Sequence, residues 1–170
     1  MRTRQTPKST LVLELEGTLA VSSLTADWDD ASTFPVRFQG QHYQVFFKLR
    51  PHLEEFLEEL AKIFEVFVFT ASKQDYADKI LKAFGRQRKL IRHQLYQEDC
   101  RCNQGYYVKD LSVLERDLAR TVAVANYLEA FPCQTSNVML IPKWLGDPLD
   151  EELLRLIPGL KHLSQVDSLM

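Results

Sequence analysis

The stretch Thr10-Leu-Val-Leu-Glu-Leu-Glu-Gly-Thr18 decides the fold of this chain. Its first half is a short apolar run, which is typical of a buried strand, and Gly17 marks a turn after it. Two carboxylates, those of Glu14 and Glu16, lie close to the end of the run. The stretch therefore predicts a buried strand that ends beside two acidic side chains.

The rest of the chain alternates apolar runs with helical patterns. Strands are predicted at residues 66–70, 91–96, 106–109, 121–125 and 138–141. Helices are predicted from Pro51, with Leu53, Phe56, Leu57, Leu60 and Phe64 on one face, over residues 73–84, and from Asp150 to Leu156, before Pro158 interrupts. This alternation predicts an α/β fold, a parallel sheet flanked by helices.

A small insertion separates the first strand from the first helix. Residues 25–35 are predicted to form a loop, and a β-hairpin turns at Gln39-Gly40-Gln41. The pattern predicts no large cap domain, so we expect an open site that suits a protein rather than a small metabolite. We divide the chain into an N-terminal extension (1–9), a single domain (10–166) and a tail (167–170).

Composition excludes several classes of protein. The chain has 170 residues, of which 45% are hydrophobic and 26% charged, enough to build a core and to exclude disorder as the main state. Lys and Arg number 21 against 23 Asp and Glu, a balance that argues against a dedicated nucleic-acid binder. No apolar run is long enough to span a membrane. Three cysteines, Cys100, Cys102 and Cys133, cannot all pair, which favours reduced thiols in an intracellular protein.

Polar side chains follow several of the predicted strands. They are Glu14, Glu16, Thr70, Ser72, Lys109 and Asn126. Ligands of parallel sheets bind outside the carboxyl ends of the strands, so we expect these groups to converge there. Carboxylates, an amide, hydroxyls and a lysine suit a magnesium ion and a phosphoryl group.

The sequence resembles the FCP/SCP-type, or CTD small phosphatase-like, phosphatases of the haloacid dehalogenase superfamily. The matching motifs are Thr33-Phe-Pro-Val, Leu49-Arg-Pro, Phe69-Thr-Ala-Ser-Lys, Tyr107-Val-Lys-Asp-Leu-Ser, Arg116-Asp-Leu and Asp150-Glu-Glu-Leu-Leu. The resemblance implies a haloacid-dehalogenase-like fold, Mg²⁺ as cofactor, and removal of phosphate from Ser or Thr in the RNA polymerase II tail and other proteins. It also implies a protein or phosphoprotein segment as partner and a nuclear or cytoplasmic location.

The catalytic motifs of that family are altered here. Its Asp-x-Asp-x-Thr reads Glu14-Leu15-Glu16-Gly17-Thr18, at the positions of the family's nucleophile and acid/base. Each Glu adds a methylene, about 1.5 Å of reach, whereas an error of about 1 Å can cost on the order of 100-fold in rate. Its Asp-Asn-Ser-Pro reads Ala125-Asn126-Tyr127-Leu128, so Asn126 keeps a metal-ligand position and Ala125 loses an acidic one.

Other positions of the family site are retained or changed singly. Thr70 and Lys109 match its phosphate-gripping pair. Thr18, Tyr76 and Gln97 occupy substrate-binding positions, with Gln97 where the family tends to have Arg. Tyr76 fits a groove or a helix core equally well, and Trp28, Phe34 and Trp144 fit either a contact surface or buried packing.

Three functions are consistent with these residues. The first is a catalytically impaired phosphatase fold that binds or scaffolds another protein, with Mg²⁺ bound weakly or not at all. The second is an active magnesium-dependent Ser/Thr phosphatase that uses Glu14 as nucleophile. The third is a phosphopeptide-binding module. We expect Glu14, Glu16 and Ala125 to tolerate Asp, because all three lie at strand ends rather than in the core. The oligomeric state stays open.

Overall fold

A five-stranded parallel sheet forms the centre of the computed structural model, which describes residues 6–166. The strands of the chain are β1 (Ser9–Glu14), β2 (Ala20–Ser23), β3 (Ser32–Phe38), β4 (Gln41–Leu49), β5 (Phe64–Phe69), β6 (His93–Leu95), β7 (Arg101–Asn103), β8 (Tyr106–Val108), β9 (Thr121–Ala125) and β10 (Val138–Leu140). The central sheet has the order β10-β9-β1-β5-β6. All residues of β1 are buried, which confirms the buried strand predicted from the opening stretch.

The two faces of this sheet are covered differently. Three helices, α1 (Leu53–Leu60), α2 (Gln74–Lys82) and α3 (Glu152–Leu163), pack with Leu11 and Leu13 of β1 in one apolar cluster. Val12, which points to the other face, joins a smaller cluster with Leu111 and Phe131 from irregular segments rich in 3₁₀ turns. The predicted α/β fold is confirmed, with its helices gathered on one face.

The insertion between β1 and α1 is larger than the predicted hairpin. It is a three-stranded antiparallel sheet of order β2-β4-β3. The loop predicted at residues 25–35 ends early, because β3 begins at Ser32 and pairs with β4. Pro35 is compatible with β3 because this strand lies at the edge of its sheet, where a missing N–H costs no ladder bond.

Two helix boundaries differ from the predictions. The first helix begins at Leu53 rather than Pro51, because His52 has a left-handed backbone with φ of 69°, and Phe64 belongs to β5. The last helix continues through Pro158 to Leu163 instead of ending at Leu156. Burial of Leu153 and Leu160 on either side of the proline holds this helix against the core despite the missing backbone donor.

The strand predicted at residues 106–109 is real but lies outside the central sheet. It pairs as β8 with β7, which the sequence analysis did not predict, in a separate two-stranded hairpin. No helix within residues 6–166 combines the length and apolar character that a membrane span requires. The tail at residues 167–170 and the first five residues of the extension lie outside the described residues.

Candidate active site

The predicted side chains meet at the carboxyl ends of β1, β5 and β9. Glu14 contacts both Lys109 and Asn126, and Glu16 contacts Thr70. Glu14, Glu16, Lys109 and Asn126 line a cleft of about 650 Å³, and the buried Thr70 lies behind its wall. Lys109 reaches it from the β7–β8 hairpin rather than from a strand of the central sheet, so the convergence that we predicted is found, with a different support for the lysine.

Glu14 is buried and both its carboxylate oxygens are engaged. Its Oε2 accepts a hydrogen bond from Lys109 Nζ at 2.8 Å. Its Oε1 accepts hydrogen bonds from Asn126 Nδ2 at 2.6 Å and from the Thr18 hydroxyl at 3.1 Å. Glu14 and Lys109 are only 3% and 7% exposed as side chains, so they form a buried ion pair rather than a strand end in solvent.

The Glu16 carboxylate lies at the end of β5. Its Oε1 accepts hydrogen bonds from the Thr70 hydroxyl at 2.5 Å and from the Ser72 hydroxyl at 2.6 Å. Thr70 Oγ1 in turn accepts a hydrogen bond from the Ser72 backbone N–H at 3.0 Å. The hydrogen that the Thr70 hydroxyl can donate is therefore already committed to a carboxylate of the same chain.

The side-chain amide of Asn126 lies among three oxygens. Its Nδ2 is 2.6 Å from Glu14 Oε1, 2.9 Å from the Glu16 carbonyl oxygen and 3.2 Å from Thr18 Oγ1. Gly17 makes this approach possible: its φ is +74°, and a Cβ there would lie 2.9 Å from Asn126 Nδ2.

With the Asn126 amide oriented as it is here, this donor set does not fit Mg²⁺. Magnesium requires oxygen ligands in near-octahedral order, but here an N–H₂ group occupies the centre of the converging oxygens. The Glu16 carboxylate is hydrogen-bonded to Thr70 and Ser72, and Ala125 supplies no carboxylate. Across residues 6–166 there is no group of three or more His, Cys, Asp or Glu side chains arranged to hold a metal ion.

Ala125 lies in the core, contrary to our expectation for this position. It is fully buried, and its side chain belongs to the apolar cluster with Val12, Phe69 and Phe131. Although Ala125 is the last residue of β9, the segment after it, which includes Ala130 and Phe131, packs over it. An aspartate at this position would bury a carboxylate among apolar side chains, which is costly without a charged partner.

The three positions that the resemblance predicts to bind substrate have different surroundings. Thr18 is fully buried and its hydroxyl donates a hydrogen bond to Glu14. Gln97 is partly buried, and its amide donates weakly to the Ala71 carbonyl at 3.4 Å. Tyr76 is also partly buried: its hydroxyl is 2.7 Å from Ser22 Oγ, and its ring lies edge-on to Phe34.

Tyr76 also lines a second depression, of about 770 Å³, next to the cleft. We call it the apolar groove. Its lining residues are Leu24, Pro35, Val36, Arg37, Phe38, Tyr43, Lys73, Asp75, Tyr76 and Lys79.

Three aromatic residues fitted either a contact surface or buried packing in the sequence. Two of them, Phe34 and Trp144, are buried. Trp28 is partly buried at the mouth of the cleft and donates from Nε1 to the Leu145 carbonyl at 3.1 Å.

Sequence reasoning missed Arg50, whose guanidinium holds the backbone of the turn at Thr18. Its guanidinium forms two hydrogen bonds with the Asp150 carboxylate, at 2.8 and 3.0 Å. It also donates to the Thr18 carbonyl at 3.1 Å and to the Pro142 carbonyl at 2.9 Å. The Leu49-Arg-Pro motif marked this residue, but a local motif does not reveal partners about a hundred positions away.

Asp110 holds the segment that carries Lys109. Burial by itself raises the pKa of Asp110, but hydrogen bonds from Gln134, from Ser112 and from Arg101 outweigh it and lower the pKa to about 2. The carboxylate accepts from Gln134 Nε2 at 2.7 Å and from Arg101 Nε at 2.9 Å. Asp110 therefore anchors the hairpin, in its ionised form, to the segment that carries Gln134.

Comparison with known proteins gives a consistent family. The family described as NLI interacting factor-like phosphatase matches residues 9–170. The chain is 45% identical to CTD small phosphatase-like protein 3 of Caenorhabditis elegans, covering 96% of this chain and 57% of that protein. It is 44% identical to CTD small phosphatase-like protein 2 of Dictyostelium discoideum, covering 95% of this chain and 28% of that protein.

A solved structure supports the fold assignment. The structure of Fcp1, an essential RNA polymerase II CTD phosphatase, superposes with a TM-score of 0.78 at 16% identity, covering 92% of this chain and 62% of that one. This likeness confirms the haloacid-dehalogenase-like fold that the motifs implied. With the sequence matches, it places the chain in the NLI interacting factor-like phosphatase family.

Proposed function

We propose that this domain is a catalytically impaired phosphatase fold that binds another protein. The state of Glu14 carries the proposal. A nucleophilic carboxylate must present an oxygen in line with phosphorus, at about 3–3.5 Å. Here one Glu14 oxygen is bonded to Lys109 and the other to Asn126 and Thr18. These contacts hold both oxygens in place, so attack would require one of them to reach phosphorus from this fixed position.

The acid/base position supports the same proposal. The Glu16 carboxylate accepts hydrogen bonds from Thr70 and Ser72. A general acid must lie within hydrogen-bond reach of the leaving oxygen, and Glu16 points instead at the end of β5. We also propose that Mg²⁺ binds weakly or not at all, because the oxygens that would ligate it are hydrogen-bonded to an amide.

The second candidate, an active phosphatase with Glu14 as nucleophile, rests on the Lys109 contact, since a lysine beside a carboxylate can orient it for attack. The third, a phosphopeptide-binding module, is less well supported. Thr70 and Lys109, the groups that would hold a phosphate, are each already bonded to a carboxylate of the chain.

We propose a segment of another protein as the partner. The apolar groove lies next to the cleft and is lined by Tyr76, and its Leu24 and Phe38 are 59% and 62% exposed. Exposed apolar surface of this kind is typical of protein interaction sites. An intracellular location, in the nucleus or the cytoplasm, agrees with three free cysteines.

Hydrolysis of a generic aryl phosphate with magnesium tests the proposal. We expect little or no turnover by the parent protein, and no further loss in Glu14→Gln. Melting curves of both proteins control for folding. Robust turnover that disappears in Glu14→Gln would refute the impaired function and establish the second candidate.

Calorimetry with Mg²⁺ tests the metal separately. At millimolar Mg²⁺ we expect little heat of binding, because Asn126 and the displaced Glu16 leave too few free oxygen ligands. A tight, stoichiometric site would show that Asn126 turns its oxygen towards the ion and that the longer glutamates reach it.

A further inference from the structure

Four exposed cations lie close together in sequence on α2 and on the 3₁₀ segment that follows it. Lys79 and Lys82 are three positions apart on α2, so they share one side of this helix. Arg86 and Lys89 are three positions apart in the segment Gly85–Leu90, where one turn takes three residues, so they also share one side. We call these four residues the basic stripe.

Within residues 6–166, no carboxylate forms an ion pair with the basic stripe. This includes the exposed Asp75 in the first turn of α2. Asp78 accepts instead from Arg88 at 2.8 Å, and Glu58 accepts from Gln87 at 3.0 Å. Like charges one turn apart repel each other, so the stripe is unfavourable in the isolated domain. A partner of opposite charge would relieve this repulsion.

The basic stripe begins at the apolar groove. Lys79 lines the groove together with the exposed Leu24 and Phe38. The other residues of the stripe lie outside this lining and follow Lys79 along α2 and the 3₁₀ segment. A bound segment that places apolar side chains in the groove and leaves it at Lys79 can therefore continue over the stripe. Asp and Glu side chains in that continuation would meet four cations.

Two other kinds of anionic partner fit the stripe less well. The apolar residues of α2, which are Ala77, Ile80 and Leu81, are buried, so this helix has no apolar face left to enter a membrane. The chain has a net charge of -2, whereas affinity for nucleic acid grows with each phosphate that a cation neutralises. An acidic protein segment requires only local charge complementarity beside the groove.

We infer that the basic stripe binds an acidic stretch of the same partner segment whose apolar residues occupy the groove. The inference rests on the proposed function in one respect, namely that a segment of another protein is the partner. It adds the chemical class of that segment, which carries Asp or Glu residues next to its apolar residues. The stripe lies outside the cleft, so binding there is independent of turnover.

Fluorescence anisotropy with a labelled synthetic peptide tests this inference. The Glu peptide contains two Leu residues, a Gly-Ser spacer and a run of Glu, and the Gln peptide has Gln in place of every Glu. We expect the parent protein to bind the Glu peptide saturably, and more weakly as the NaCl concentration rises, because salt screens exposed charges. The Gln peptide should bind at least about tenfold more weakly.

Charge reversal distinguishes the stripe from the overall charge of the protein. Lys82→Glu/Lys89→Glu should weaken binding of the Glu peptide at least about tenfold and leave binding of the Gln peptide unchanged. The matched control, Arg155→Glu/Lys161→Glu, makes the same change of net charge at exposed positions of α3 and should have little effect. Melting curves check folding. If the reversed stripe does not fold, Lys82→Gln/Lys89→Gln replaces it and should weaken binding about threefold.

Three outcomes would overturn the inference. The first is that the parent does not bind the Glu peptide saturably, or binds both peptides equally well. The second is that the stripe variant and the α3 variant lose equal affinity. The third is binding of oligothymidylate or of phosphatidylserine vesicles that depends on the stripe and is tighter than binding of the Glu peptide, because it would assign the stripe to another class of partner.

Failure of this inference and failure of the impaired function are distinguishable. Turnover of aryl phosphate by the parent would refute the impaired function and leave the peptide results unchanged. Equal binding of both peptides would refute the role of the stripe and leave the aryl-phosphate result unchanged.

Discussion

At the scale of single residues, the Glu14–Lys109 pair dominates the site. Two opposite charges are buried side by side, and further hydrogen bonds satisfy the carboxylate. Such pairs add little stability compared with apolar residues of equal size, but removing one partner leaves a buried charge alone. The pair is therefore important for stability mainly because losing either partner would leave an unpaired buried charge.

Lys109→Met should lower the free energy of unfolding by about 3–5 kcal/mol, because it leaves the buried Glu14 carboxylate without its cation. Chemical denaturation monitored by tryptophan fluorescence measures this loss. The double variant Glu14→Gln/Lys109→Met should recover most of the stability, since no buried charge remains. A double variant as unstable as Lys109→Met would show that the lysine acts through packing instead.

Asp110 predicts a dependence of stability on acid. Its pKa is lowered in the folded protein from 3.8 to about 2, so its stabilising contribution is present above about pH 4 and is lost as the pH falls towards 2. Asp110→Asn should cost up to about 2 kcal/mol at neutral pH.

The stability difference between parent and Asp110→Asn should shrink on acidification and vanish near pH 2. Denaturation curves of both proteins over this range measure it. A difference that stays constant with pH would contradict the role of the ionised carboxylate.

At the scale of elements, Arg50 joins four parts of the fold. It follows β4, and its guanidinium bonds Thr18 of the cleft turn, Pro142 after β10 and Asp150 before α3. Burial raises the pKa of Asp150, but the hydrogen bonds from Arg50 outweigh it, and the pKa is lowered overall. One side chain therefore fixes the insertion, the sheet edge and the last helix relative to each other.

Arg50→Met should cost about 3–5 kcal/mol in unfolding, because it leaves two backbone carbonyls and the Asp150 carboxylate without their donor. Asp150→Asn leaves the buried Arg50 guanidinium without its anion, but the carbonyl contacts of Arg50 remain and the Asn oxygen can still accept from it, so we expect a smaller cost of about 1–3 kcal/mol. Thermal melts of both variants provide the comparison. Equal losses would mean that the carbonyl contacts contribute nothing.

The sequence allowed the strands to be predicted better than the contacts among their side chains. Apolar runs locate β1, β5 and β9 because burial on both faces leaves little choice of residue. β7 was missed because its three residues, Arg101–Asn103, are exposed and polar. The convergence of Glu14, Thr70 and Asn126 followed from sheet geometry. Their hydrogen-bond partners, and the buried methyl of Ala125, depend on packing between distant segments.

At the scale of the whole molecule, the substitutions that restore the family's aspartates are expected to raise activity and to lower stability. Glu14→Asp and Glu16→Asp withdraw each carboxylate by one methylene, whereas Ala125→Asp introduces a charge into an apolar cluster. The first two changes shorten side chains that line the cleft. The third requires a cation nearby to offset the burial of its charge.

The triple variant Glu14→Asp/Glu16→Asp/Ala125→Asp should raise aryl-phosphate turnover by orders of magnitude, since each restored group contributes about 1–4 kcal/mol to barrier lowering and they act as a unit. We expect it to melt below the parent without Mg²⁺ and to recover with it. Turnover and melting curves with and without the ion measure both effects.

Two comparisons complete that test. The double variant Glu14→Asp/Glu16→Asp, which leaves Ala125 in place, should not share the melting defect of the triple variant. A folded triple variant with no gain in turnover would place the defect elsewhere, at Gln97 or in the Tyr127-Leu128 segment.

The edge strands of the two larger sheets are poor sites for pairing with a strand of another chain. Both outer strands of the parallel sheet, β6 and β10, have three residues each, so few backbone groups are left to pair with another chain. The longer outer strand β3 contains Pro35 and the charged Arg37, both of which discourage a further strand from adding there. The architecture therefore combines an exposed apolar groove with sheet borders that resist fibril growth.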